Sequence, residues 1–204
     1  MMQLFFASTS AYVRKVMVCA TILGLADEIE RLDSAAHPID RDERIAAFNP
    51  LAKVPALRTP GGLCLYDSRV ICEYLNALAQ GDLFPETGDA RWRSLARQAL
   101  GDGIIDAALL ARYEFSARPP GKQWQGWADA QLKKVAAALS DIEGQVSGFS
   151  RQPDDIGLIA IGCALGYLDF RFAELNWRAR YPLTAAWFAL FAAHPAMATT
   201  QTHV

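Results

Sequence analysis

The chain has 204 residues, enough for one large domain or two small ones, and its 52% apolar and 21% charged content is that of a folded protein, which excludes disorder as the main state. Twenty basic and 22 acidic side chains leave a net charge of -2, with 8 and 9 in residues 1–80 and 12 and 13 beyond, so neither half is a basic lobe for nucleic acid. The most apolar runs, 156–168 and 183–193, fall short of the roughly 20 residues that span a bilayer, and the opening MMQLFF carries no basic leader, so no membrane partner and a cytoplasmic location are expected. Residues 3–7 form a short aromatic segment that predicts a strand. A Ser-Thr-Ser cluster then opens a helix in which Val13, Val16, Met17, Ala20 and Leu23 recur at helical spacing, closed by Gly24. Residues 29–32 alternate apolar with charged side chains and read as a second strand, parallel to the first through the helix between them. Residues 37–48 are expected to be helical, 54–58 a strand, and Pro60-Gly61-Gly62 a turn into residues 63–66, making a hairpin. Ser68 is expected to cap a helix whose apolar stripe is Val70, Ile71, Tyr74, Leu75 and Leu78.

Residues 80–89, rich in Gly, Pro and acidic side chains, mark the expected boundary between a domain over 1–79 and one over 90–204. In the second part residues 90–117, 124–147, 155–175 and 182–193 all carry apolar stripes at spacings of three to four, which predicts an all-helical domain. Aromatics at that spacing are core by default, and Tyr113, Phe115, Trp124, Trp127, Tyr167, Phe170 and Phe172 are read so. Arg14 and Lys15 are read as solvated charges on the first helix. Cys19, Cys64, Cys72 and Cys163 form no CxxC pair and no Cys/His cluster, so reduced thiols without a metal site are expected.

Three places carry candidate chemistry. At Ser8-Thr9-Ser10 a hydroxyl and the orphan N–H groups of a helix start can donate to an anion and favour a thiolate over its thiol. Lowering a thiol pKa from near 8.5 by about two units takes roughly 2.7 kcal/mol. One charge-assisted hydrogen bond of about 1.5–3 kcal/mol, added to the helix terminus, is of that size. Hydrolysis by a Ser-His-Asp triad is the rival reading, but His37, His194 and His203 lie in no triad context. At Val54-Pro55 a proline opening a strand leaves backbone groups that can pair with an extended peptide, and a cis bond is the sharper form of that idea. Asp67-Ser68 joins a strand to a helix, where N–H groups and the hydroxyl suit a carboxylate and Asp67 an ammonium, the two ends of an α-amino acid; a plain helix cap is the simpler alternative.

In this order and spacing the motifs resemble those of the glutathione S-transferase superfamily, over essentially the whole length. Thr9-Ser10-Ala11-Tyr12-Val13-Arg14-Lys15-Val16 is similar to the family's T-S-P-F-V-R-K-V, Asn49-Pro50-Leu51-Ala52-Lys53-Val54-Pro55-Ala56-Leu57 to N-P-x-G-K-V-P-x-L, and Asp67-Ser68 to its E/D-S pair. The resemblance implies an α/β thioredoxin-like N-terminal domain plus an all-α C-terminal domain, glutathione in the cleft between them, a small hydrophobic electrophile as second substrate, and a homodimer. It further implies that Ser10, with Thr9 as nearest competitor, bonds the glutathione sulfur. Lys53 would then reach the glycyl carboxylate, Val54 would pair with the cysteinyl unit ahead of a cis Pro55, and Asp67 with Ser68 would hold the γ-glutamyl end. A disulfide reductase or peroxidase, or a non-catalytic binding module, are the other functions that this scaffold hosts. Ala11 and Ala52 stand where the family has Pro and Gly, and Asp155-Ile156-Gly157-Leu158 where it has the capping box S/T-x-x-D. Loss of the box at Leu158 predicts a less stable helix, and that Leu158→Asp raises the thermal midpoint.

Overall fold

The structure, a computed structural model, describes residues 1–202; His203 and Val204, the end of the expected helical part, lie outside the described residues. Strand β1 (Met2–Phe6), helix α1 (Ala11–Ile22) and strand β2 (Ile29–Asp33) form the expected parallel unit, with Met2 opposite Ile29 and Phe6 opposite Asp33. One helical turn, α2 (Glu43–Ala46), is all that forms within 37–48. His37 Nδ1 accepts from the N–H groups of Ile39 and Asp40 there, and such local bonds compete with a helix ladder. Strands β3 (Ala56–Arg58) and β4 (Cys64–Leu65) complete a sheet of order β2-β1-β3-β4 before α3 (Ser68–Ala79). β3 begins two residues later than predicted, because the ladder does not engage Val54 and Pro55. Together these elements are the thioredoxin-like α/β domain.

The rest is helical: α4 (Gly88–Ser116), α5 (Gln125–Gln145), α6 (Ile156–Arg171), α7 (Trp177–Arg180), α8 (Pro182–Ala192) and α9 (Pro195–Ala198). α7 and α9 are single turns, too short to show a periodicity. α6 is apolar on every side because it lies in the middle, between α1, α4 and α8, with residues 156–165 all buried. At Gly101 of α4 a Cβ would stand 2.6 Å from the Ala160 carbonyl carbon, so the two backbones touch. Among the described residues no single helix is long and apolar enough to cross a membrane.

Burial corrects three expectations. Arg14 and Lys15 are enclosed, at 5% and 0% exposure, because α1 is covered by α6 and α9 of the helical domain as well as by α3. Arg14 lies against Gly166 of α6 and donates to the Met197 carbonyl of α9 at 3.0 Å. Phe115, Trp124 and Trp127 are exposed instead of core, Phe170 is half-buried, and Tyr167 and Phe172 are buried as predicted. Leu158 is part of the hydrophobic core, while Asp155 Oδ1 alone caps α6 by accepting from Leu158 N at 3.0 Å. The position that the motif assigns to an acid is therefore an apolar site, and Leu158→Asp would bury a carboxylate.

Candidate functional site

Register brings the candidate residues to one end of the sheet. Phe5 of β1 faces Ala56 of antiparallel β3, and Leu57 faces Leu65 of β4. The C-terminal end of β1, the start of β3 and the end of β4 are therefore neighbours, and from them leave the segments carrying Thr9 and Ser10, Val54 and Pro55, and Asp67 and Ser68.

Ser10 is the N-cap of α1. Its backbone is extended, its N–H donates to the Ala7 carbonyl at 3.0 Å, and its Oγ accepts from Val13 N at 3.3 Å. Capping uses a lone pair and leaves the hydroxyl proton for a ligand. Thr9, beside it, is half-buried, with no side-chain hydrogen bond among the described residues. The hydroxyl of Tyr12 donates to Asp106 Oδ1 of α4. Burial, and then that bond, raise the phenol pKa far above its ordinary value, so Tyr12 keeps its proton and spends it on Asp106.

The turn before β3 is organised by buried Asn49, whose Oδ1 accepts from Leu51 N and whose Nδ2 donates to the Lys53 carbonyl, both at 3.0 Å. Ala52 takes a left-handed φ of 53°, the conformation for which glycine is best suited. Lys53 is exposed and forms no ion pair among the described residues. The Val54-Pro55 peptide is cis, and no backbone hydrogen bond engages Val54 among the described residues.

At α3 the cap is Asp67 and not Ser68: Asp67 Oδ1 accepts from Arg69 N at 2.9 Å, while Ser68 is the first helical residue and is buried. The Tyr66-Asp67 peptide is also cis. Asp67 is mostly exposed and has lone pairs left for an ammonium. Behind it stands a network that sequence reasoning missed. Arg69 Nε donates to Asp102 Oδ2 of α4 at 3.1 Å, and Asp102 Oδ1 accepts from buried Lys15 Nζ at 2.6 Å. The available signal was Asp102 and Asp106 four apart, hence on one face of α4, together with a lysine inside the apolar stripe of α1.

The thiols stay outside this chemistry. Cys19, Cys72 and Cys163 are buried and unbridged, Cys64 is half-buried, a hydrogen bond with Cys72 and burial raise the Cys19 thiol, and burial pushes Cys163 up to about 11. Among the described residues no group of three or more His, Cys, Asp and Glu side chains is placed to hold a metal ion.

The sequence profile of the glutathione S-transferase N-terminal domain matches residues 9–78, the span containing all these segments. The GST-like protein YibF of Escherichia coli (strain K12) is 35% identical over 180 residues, 86% of each chain. A glutathione transferase family member from Pseudomonas fluorescens Pf-5, solved with bound glutathione, is 41% identical with a TM-score of 0.94, and each chain is covered completely. A structure of a family member from the same strain holds S-(propanoic acid)-glutathione, at 40% identity, a TM-score of 0.89 and the same coverage. Likeness of this degree in sequence and in backbone, from the first strand to the last helix, makes this chain a member of the glutathione S-transferase family.

Proposed function

We propose that this protein is a glutathione transferase of the serine type, conjugating glutathione to small electrophiles. The observation that carries the reading is the Ser10 hydroxyl, held as the α1 N-cap with its proton uncommitted, at the sheet end where Val54, Lys53 and Asp67 offer partners for a tripeptide. Val54 pairs its free backbone groups with the cysteinyl unit, Lys53 meets the glycyl carboxylate, and Asp67 with the N-terminal N–H groups of α3 at Ser68 holds the γ-glutamyl ammonium and carboxylate. Pro55 stands between Val54 and the first residue of β3. The thiol proton leaves to solvent, and Ser10 donates to the thiolate so formed, which also lies at the positive end of α1. A sulfur lone pair then makes the new bond to carbon as the leaving group departs with its electron pair, or adds to an activated double bond whose π electrons move to the neighbouring carbon, which takes a proton from solvent. The S-(propanoic acid)-glutathione held by the Pseudomonas fluorescens family member is a thioether with the same sulfur–carbon bond.

Calorimetric titration with glutathione tests the grip, and the pH–rate profile tests the serine. Ser10→Ala is expected to move the bound thiol back toward its ordinary pKa near 8.5. An unchanged profile, with Thr9→Ala shifting it instead, transfers the role to Thr9. A small disulfide assayed beside an aryl halide separates conjugation from reduction at sulfur. We place the protein in the cytoplasm, consuming reactive electrophiles, as a dimer of identical chains. Support for the second copy comes from large apolar side chains left in water just before β4, on α3 and at the start of α4: Leu63, Val70 and Leu78, with Trp92 at 67% exposure.

A further inference from the structure

Where the end of α4 meets α5 and the end of α6, the helical domain has an open cleft of about 630 Å³. Its apolar walls include Phe115, Leu132 and Phe170, and it also receives Arg112 from α4 and Arg171 from α6. Both arginines are half-buried. Neither forms an ion pair or a hydrogen bond among the described residues, and the Arg171 guanidinium lies 4.0 Å from the Phe170 ring centroid. Glu174 also lines the cleft, yet is exposed and pairs with neither.

Two half-buried cations in one largely apolar cleft, without a counter-ion among the described residues, are compensated by water alone, and an anion entering the cleft can take the place of that water. Burial, and next the nearness of Arg112, lower the Arg171 pKa, so the two charges are close enough to repel. Along α4, Arg112 stands six residues past Asp106, the Tyr12 partner, which is about 9 Å of helix rise. Arg112 thus lies on the same helix as the carboxylate that holds Tyr12, further along toward its C-terminal end.

We infer that Arg112 and Arg171 form an anion subsite for the second substrate, so that the favoured electrophile is a small apolar molecule bearing a carboxylate. The guanidinium fork matches a carboxylate in two parallel hydrogen bonds, and the aromatic walls take the apolar body. The inference rests on the proposed transferase reading and narrows it, since an apolar second site alone would favour neutral electrophiles.

A matched pair of aryl chlorides tests it: a chloronitrobenzoate with chlorine para to the carboxylate, and its benzamide. In both, the thiolate bonds to the ring carbon, the carbon–chlorine bond breaks and chloride leaves with the electron pair. With rates divided by the uncatalysed ones, the wild type is expected to favour the benzoate by about tenfold or more in kcat/KM. R112Q/R171Q is expected to erase that preference through KM for the benzoate, and R112K/R171K, which keeps charge but not the fork, to retain part of it. The same benzoate-to-benzamide ratio in wild type and R112Q/R171Q overturns the inference, and if that variant does not fold, an R112K/R171K ratio equal to wild type does so. Direct titration of the benzoate without glutathione reads the subsite independently. Binding at least tenfold weaker in R112Q/R171Q supports it, and equal binding overturns it. Silence on titrating glutathione overturns the transferase reading instead.

Discussion

Ala52 occupies a backbone conformation that costs an L-residue about 1–2 kcal/mol, in the turn that presents Lys53 and Val54. Glycine there removes the strain but adds freedom to the unfolded chain, so Ala52→Gly is expected to gain about 0.5–1 kcal/mol in urea denaturation, with the glutathione affinity retained. The motif already marked this position as one where the family places Gly, and the left-handed φ supplies the reason. Lys15 is the opposite case. Its neighbours Val13, Val16 and Met17 were legible as a buried stripe, whereas the carboxylate that lets a lysine share that burial lies 87 residues away on α4. A local pattern contains no such partner. Asp102→Ala leaves the ammonium enclosed and is expected to cost about 3–5 kcal/mol, measured by the same denaturation, while Lys15→Met/Asp102→Leu recovers most of it. Arg69 loses its Asp102 contact in either variant.

Among the elements, α6 shows how a motif misleads when its environment differs. Asp155 caps the helix as the sequence implied, but the packing at the third helical position is set by the core around it. Leu158→Asp is therefore expected to lower stability by about 3 kcal/mol or more, seen as a fall in the thermal midpoint. α8 has its cap from another helix: Glu143 of α5 accepts from the N–H groups of Leu183 and Thr184 and from the Thr184 hydroxyl, at 2.9, 2.8 and 2.6 Å. Burial raises the Glu143 carboxyl, but these three bonds outweigh it and hold the pKa below its usual value. A folded pKa below the unfolded one, about 4.3, gives stability that is present above that pH and lost as pH falls through the folded value. Glu143→Ala is expected to cost about 1–2 kcal/mol near neutrality, and the difference from wild type to close in acid. Strands and long helices were legible because each repeats a period. The contacts that cap or crowd them join distant parts of the chain and leave no mark in a window of residues.

At the level of the whole molecule, the proposed dimer predicts twice the 22.4 kDa chain mass in light scattering. Val70→Asp and Trp92→Arg, both exposed positions, are expected to shift it toward the single-chain mass while keeping a cooperative melt. The α/β part and the helical part were legible from the change of pattern along the chain, but the depth to which one engages the other was not. Arg14, within a turn of Ser10, ends on the Met197 carbonyl, and its guanidinium rests on a glycine of α6. During synthesis the first helix emerges from the ribosome long before that acceptor exists. Until then the Arg14 cation stays in water, and a polypeptide arrested ahead of Met197 is expected to leave the first helix open to hydrogen exchange that the finished chain blocks.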